Sequence, residues 1–306
     1  MFAALTAFPA AAAETNHDTS LQDRFQAAHA HFLQGREQQR LHRNTERSRT
    51  ELTAAFDGYH GVVDADPNGK LAARALYMSG SAQLFLAQPE KAIGIYEQVI
   101  KGYPGDRYYV AKSLVKKASV QKNMLDAEGA RHTLQRYHDE FPDGGPNDLR
   151  KQATRIDAAL AVIGKPAAPV VASRWFNGAA DTADETGEIV LVYFWATWCP
   201  NCRKEVDFIN GLWARYQPKG LRLVGVTNNT RGQTDATVQK YIQDHGFSFP
   251  VAVDAEGKTS RALNGGSVPS AVLIDGDGRV RWHDHPAALS DAVLDRLLAV
   301  APGKGA

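Results

Sequence analysis

Two cysteines, Cys199 and Cys202, carry the plainest chemistry in the chain, and it has no others. They enclose Pro200-Asn201 at the head of a segment, 199–216, whose apolar spacing predicts an amphipathic helix. A C-x-x-C at a helix start puts the first sulfur at the positive end of the helix dipole, beside backbone N–H groups that have no partner inside the helix. Both effects favour thiolate over thiol, and the thiolate is the species that attacks a disulfide. Cys199 is therefore the expected nucleophile. Cys202, one turn inward, is the expected resolving thiol. With proline at 200, the N–H groups of both Asn201 and Cys202 remain available to the Cys199 sulfur; a proline directly before the second cysteine would remove one of them. Half of a zinc site is the competing use of such a pair, but zinc needs two further Cys or His ligands. No second C-x-x-C exists. The expectation is a redox pair with no metal and no bound cofactor.

Glu205 lies three residues after Cys202, on the same helix face. Helical side chains lean towards the N-terminus, so its carboxylate is aimed back at the sulfurs. It could then accept the proton of Cys202, if burial raises its affinity for one. The alternative is an exposed carboxylate beside Lys204. Trp195 and Trp198 flank the motif: Trp198, with Pro200, is a candidate for the substrate surface, while Trp195 reads as core. His283 and His285, with Asp284 between them, could hold a metal, but at the end of a hairpin they read better as a polar rim.

Alternating elements surround the motif. Ile189–Trp195 is a continuous apolar strand, Leu221–Thr227 a second, Phe249–Val253 a third, with a helix over 235–244 between the last two. Ser270–Asp275 and Val280–His283 form a hairpin around Gly276-Asp277-Gly278. A last helix covers about 288–300. Strands too apolar to have a wet face, alternating with helices, imply a sheet covered on both sides.

Residues 20–163 read instead as helix throughout. A pattern recurs there: Ala55, Tyr59, Val62, Pro67; then Ala92, Tyr96, Val99, Pro104; then Ala130, Leu134, Tyr137, Pro142. The spacing is 37, then 38, residues. A small residue allows close helix approach, the next two positions fill one apolar face, and proline stops the helix. This resembles tetratricopeptide repeats, whose unit is about 34 residues. Gly80 and Pro89-Glu90-Lys91-Ala92 make the middle unit the best match. Such repeats imply a groove that takes a protein partner. Gly164-Lys165-Pro166-Ala167-Ala168-Pro169 cannot continue a helix and reads as a linker running into an extended segment. The expected division is therefore 20–163, an all-α tetratricopeptide-like helical repeat domain, and 164–306, an α/β domain whose family the residues around the cysteines indicate.

That second assignment rests on a resemblance. Val192-Tyr193-Phe194-Trp195-Ala196-Thr197-Trp198-Cys199-Pro200-Asn201-Cys202-Arg203-Lys204-Glu205 resembles the thioredoxin superfamily, and within it the TlpA/ResA-like exported thiol–disulfide oxidoreductases. The Gly-Lys-Pro-Ala entry, Val224-Gly225-Val226, Gly246-Phe247-Ser248-Phe249-Pro250 and Val268-Pro269 before Ala271–Asp275 extend it over nearly all of 164–302. The resemblance implies a redox disulfide between Cys199 and Cys202 and a cis-proline loop at Val268-Pro269 that presents backbone to an extended substrate. It also implies that Glu205 assists the second thiol. Thioredoxin's buried Asp, six residues before the first cysteine, is Tyr193 here, so any other acid–base helper must come from elsewhere. The partners implied are a disulfide-containing protein substrate and an upstream thiol electron donor. A thiol peroxidase shares the fold, but Ala196 stands where its signature threonine belongs. An adaptor, with the repeats as its working part and the redox site sensing or tethering, is the alternative of a different class.

With 35 basic and 34 acidic residues, the net charge is +1, which gives no electrostatic case for nucleic acid as a partner. Residues 1–13, MFAALTAFPAAAA, end in overlapping Ala-x-Ala patterns and resemble a secretory signal without its basic start. The expectation is an exported, periplasmic protein, with attachment to the membrane through an uncleaved N-terminus as the alternative. Having only two cysteines fits an oxidising compartment, since no stray thiol could mispair.

Overall fold

The computed structural model describes residues 10–42, 45–180 and 187–300. Of the signal-like stretch 1–13, residues 1–9 lie outside the described residues, and the rest open the first helix. Seven helices come first among the described residues: α1 (Ala10–His42), α2 (Glu46–Ala65), α3 (Ala72–Phe85), α4 (Pro89–Gly102), α5 (Arg107–Asn123), α6 (Ala127–Glu140) and α7 (Asn147–Val162). Their ends follow local chemistry. Thr45 caps α2 by accepting the Ser48 N–H at 3.2 Å, which satisfies one of the unpaired donors of its first turn. Pro89 opens α4, where its missing N–H is no loss.

The repeat positions pack as the spacing requires. Ala55, Ala92 and Ala130 are all fully buried, as are Tyr59, Tyr96 and Tyr137. Gly80 shows why the small position matters, because a Cβ built there would lie 2.8 Å from the Tyr96 ring and 3.2 Å from Ile95. Phe25, Phe32, Leu52, Ala55, Tyr59 and Val62 form a continuous core between the first helices. Among the described residues an all-α helical repeat comes first and an α/β part follows.

The α/β part contains β1 (Arg174–Phe176), β2 (Ile189–Phe194), α8 (Pro200–Tyr216), β3 (Leu221–Thr227), α9 (Asp235–Asp244), β4 (Val251–Val253), α10 (Lys258–Ala262), β5 (Ser270–Ile274), β6 (Val280–Asp284) and α11 (Asp291–Ala299). The sheet order is β1-β4-β3-β2-β5-β6. Strands β2, β3 and β4 run parallel, with Leu191 opposite Leu223 and Val226 opposite Ala252. β5 and β6 add antiparallel, and β1 closes the other edge antiparallel to β4. Every residue of β2 is buried, as expected of a central strand covered on both faces.

Three details differ from the sequence expectations. The last helix starts at Asp291 rather than near 288, because Ser290 caps it by accepting the Val293 N–H. The strand β1 and the short α10 were not foreseen. The segment read as a linker is bound into the sheet edge: Gly164 N–H donates to the Val280 carbonyl at 2.7 Å, and Ala167 N–H to that of Gly278 at 2.8 Å.

By its contacts the chain divides into two compact units. One holds the described residues up to Val120 together with His132–Gln152. The other holds Gln121–Arg131 together with the described residues from Ala153 onward.

Candidate active site

Strand β2 delivers the chain to the site and α8 leaves from it. Between them Trp195 turns into the core, against the rings of Tyr241 and Phe247 at 5.2 and 5.1 Å. Cys199 is the N-cap residue of α8, with extended backbone, and its sulfur accepts the Cys202 N–H at 3.1 Å. A sulfur thus occupies the place where a capping oxygen usually sits, at the positive end of the helix. Asn201 N–H makes no bond to the sulfur, contrary to the expectation that both donors would serve it. The reason is positional: Pro200, Asn201 and Cys202 are the first three helical residues, and in this cap the sulfur reaches the third.

Cys199 and Cys202 are joined as a disulfide, their Cα atoms 5.3 Å apart. Cys199 is 4% exposed and Cys202 1%, so Cys199 is the sulfur nearer to solvent. The Val268–Pro269 bond is cis, and the Val268 carbonyl oxygen lies 3.6 Å from Cys199 Sγ. No proton lies between them in the disulfide; in the dithiol a Cys199 S–H could donate there. Val268 is partly buried against the core, and Pro269 is buried. The loop leading to it needs Gly265, since a Cβ there would lie 2.5 Å from the Phe194 ring.

Trp198 is partly buried, and the Arg231 guanidinium sits 4.3 Å over its ring. Pro200 is exposed. The turn before Cys199 is held from a distant loop. Gln233, 5% exposed, accepts both the Thr197 N–H (2.7 Å) and the Thr197 hydroxyl (2.8 Å) on its Oε1. Its amide nitrogen donates to Thr227 Oγ1 and to the Asn228 carbonyl.

Glu205 is mostly buried, its side chain 15% exposed, with Oε1 3.9 Å from His285 Nε2. Tyr193 is its neighbour as well. Burial first, and the charge of Glu205 second, push the Tyr193 hydroxyl up, so it stays neutral at ordinary pH. His285 Nδ1 accepts the Ala287 N–H at 3.3 Å. His283 is 7% exposed, and burial first, then the Lys122 charge, push its ring down to about 4. Among the described residues, no group of three His, Cys, Asp or Glu side chains could hold a metal.

Lys122, in the 121–131 segment of the same unit, is 2% exposed and fully engaged. It donates to the His283 carbonyl at 2.6 Å, to Asp284 Oδ2 at 2.8 Å and to Asn123 Oδ1 at 2.7 Å. Burial alone would raise the Asp284 carboxyl; the Lys122 ammonium overrides that and holds it below the usual range.

Sequence reasoning missed Gln233 and Arg231. Neither belongs to a motif, and Gln233 lies 36 residues from the threonine it holds, so only the folded loop brings them to the site.

Residues 163–283 match the AhpC/TSA family, and residues 74–106 match a tetratricopeptide repeat. The thiol–disulfide oxidoreductase ResA of Bacillus thuringiensis (strain Al Hakam) is 33% identical over 118 residues, 39% of this chain and 66% of that protein. ResA of Geobacillus kaustophilus is 31% identical over 99 residues, 32% of this chain and 55% of that protein. A crystal structure of a thioredoxin-family thiol:disulfide interchange protein from Chlorobium tepidum TLS is 27% identical, covering 46% of this chain and 99% of that one, with a TM-score of 0.37. The chain thus spans 66% or less of the length of these curated relatives. Residues 163–283 are thus a thioredoxin-like domain that matches the AhpC/TSA family and is similar to ResA-type thiol–disulfide oxidoreductases, with a tetratricopeptide repeat matched before it.

Proposed function

We propose that this protein is an exported thiol–disulfide oxidoreductase that reduces disulfides in partner proteins through the Cys199–Cys202 dithiol. One observation carries the reading: Cys199 caps α8, its sulfur accepts the Cys202 N–H, and the Val268 carbonyl before cis Pro269 stands beside it. A backbone N–H aimed at sulfur stabilises thiolate, the attacking species.

In the first step the Cys199 thiolate attacks one sulfur of the partner's disulfide. The partner's S–S bond breaks and its other sulfur leaves as a thiolate, which takes a proton from water. In the second, Glu205 accepts the proton of Cys202, and the Cys202 thiolate attacks the Cys199 sulfur. The mixed disulfide breaks, the partner leaves reduced, and the two cysteines end oxidised. An upstream dithiol donor then restores them by the same exchange in reverse. Val268, Trp198 and Pro200 form the surface against which the partner's backbone lies, with cis Pro269 buried beneath it and setting the course of the Val268 backbone. No metal or cofactor takes part.

The division of labour follows the chain. Residues 164–306 do the chemistry, and the repeat domain, 20–163, offers its groove to a protein partner. Export suits the reading, because disulfide substrates persist in oxidising compartments such as the periplasm. Sequencing the N-terminus of protein recovered from a cell fraction tests it, with removal of residues 1–13 as the expected result. The adaptor reading is favoured by one observation, the tetratricopeptide match at 74–106. Insulin reduction by the pre-reduced full chain separates the two. Multiple turnovers with a dithiol donor, abolished in Cys199→Ser, support the enzyme; no turnover by the intact protein supports the adaptor.

A further inference from the structure

His285 lies beyond the end of β6, on a short 3-10 turn at Pro286–Ala288. Two contacts fix it. Its backbone N–H donates to Asp284 Oδ1 at 2.6 Å, and the other oxygen of that carboxylate is held by Lys122. Its ring Nδ1 lies 3.3 Å from the Ala287 backbone nitrogen. A backbone N–H can only donate, so Nδ1 must be the accepting nitrogen, and the neutral ring carries its proton on Nε2. That nitrogen faces Glu205 Oε1 at 3.9 Å.

We infer that His285 is a positioning residue for Glu205: its Nε2–H favours the ionised carboxylate that takes the Cys202 proton when the mixed disulfide is released. The inference rests on the reading of Glu205 as base proposed above. At 3.9 Å the contact is longer than a hydrogen bond, but an N–H dipole or a positive charge beside a carboxylate still stabilises its ionised form, whether the imidazole is neutral or protonated. In the step served, the Cys202 S–H bond breaks and its proton goes to a Glu205 oxygen. The freed sulfur electron pair forms the Cys199–Cys202 bond, and the pair of the broken mixed disulfide leaves on the partner's sulfur. The cysteines are oxidised and the partner is reduced.

Among the described residues, the titratable and charged groups beside this pair lie on β2, β6, α5 and α8. Tyr193, on β2, stays neutral. His283, on β6, is held neutral by burial and by Lys122. Asp284 and Lys122 neutralise each other. Arg203 and Lys204, on α8 itself, are exposed.

The test uses the reduced full chain with dithiobis-nitrobenzoate, an aromatic disulfide whose released thiol is coloured. Attack by Cys199 gives a first phase and attack by Cys202 a second. His285→Ala is expected to leave the first phase unchanged, slow the second several-fold at about pH 6, and move its acid limb up by about half a unit to one unit. His285→Gln, whose amide N–H reaches about as far as Nε2, restores the profile. His285→Asn keeps an acceptor for Ala287 but falls short of Glu205, and it behaves like the alanine variant. Restoration by Asn and not by Gln would assign His285 to capping the turn and overturn the inference. So would an unmoved profile in His285→Ala. Glu205→Gln separates the two levels: if it slows the second phase while His285→Ala does not, only the role of His285 fails. If Glu205→Gln also leaves the second phase unchanged, the base assignment fails and this inference with it.

Discussion

At the residue scale, the Cys199 sulfur is stabilised by one backbone donor, and that donor is Cys202 N–H. Exchanging Pro200-Asn201 for Gly-Pro removes the Asn201 N–H, which makes no bond to the sulfur, and keeps the one that does. The Cys199 pKa, followed by thiolate absorbance against pH, is therefore expected to move by less than about half a unit. A rise of a full unit would show that Asn201 donates in the dithiol form. The sequence alone could name the helix start and the sulfur, but not which N–H it would meet, since cap geometry decides that. His283 gives a second residue-scale prediction. Its ring is pushed down to about 4 from 6.5, by burial first and the Lys122 charge second. Above about pH 6.5 both folded and unfolded states hold it neutral. Below that, the unfolded chain takes up a proton that the fold refuses, so stability falls with falling pH until the folded ring also protonates near 4. About two and a half units correspond to about 3 kcal/mol. Urea unfolding at several pH values should show this fall, and His283→Leu should lack that part of it. Parallel curves for the two proteins would contradict the assignment.

Elements hold these residues in place through a few contacts that bear on the site. Gln233, on the loop after β3, fixes the turn after β2 by accepting the Thr197 N–H and hydroxyl. Gln233→Ala strips a partly buried N–H and hydroxyl of their acceptor, which costs about 1–3 kcal/mol. Denaturant midpoints measure that loss, and a change under about half a kcal/mol would mean that the turn is set by α8 alone. In the repeats, Gly80→Val would push a branched side chain into Tyr96 and Ile95, and such overpacking costs about 1–3 kcal/mol. A variant as stable as the parent would show that α3 and α4 can separate without loss. Much of this level was legible beforehand. The in-phase Ala55, Ala92 and Ala130 report burial directly, because a small residue among larger apolar ones at helical spacing marks close approach. The apolar run of β2 gave its central place for the same reason. What stayed hidden depends on long-range pairing: the edge bonds of Gly164 and Ala167 to the hairpin, the added β1, and the Gln233 bridge. No local propensity encodes a partner a hundred residues away, as Arg279 is for Gly164.

At the scale of the whole molecule, a redox unit and a helical repeat share one chain, and the role proposed for the repeat is to bring a protein partner. Its central claim is that Cys199 and Cys202 exchange electrons with protein disulfides as a pair. The most direct measurement follows the thiols of the reduced full chain mixed with a disulfide-bonded protein such as insulin, by mass spectrometry after acid quench. The account predicts one substrate disulfide lost for each Cys199–Cys202 disulfide gained. It also predicts a stable mixed disulfide through Cys199 in Cys202→Ser, and no reaction in Cys199→Ser. A reduced chain that leaves insulin intact, or a Cys199→Ser variant that reduces it as fast as the parent, would contradict the claim.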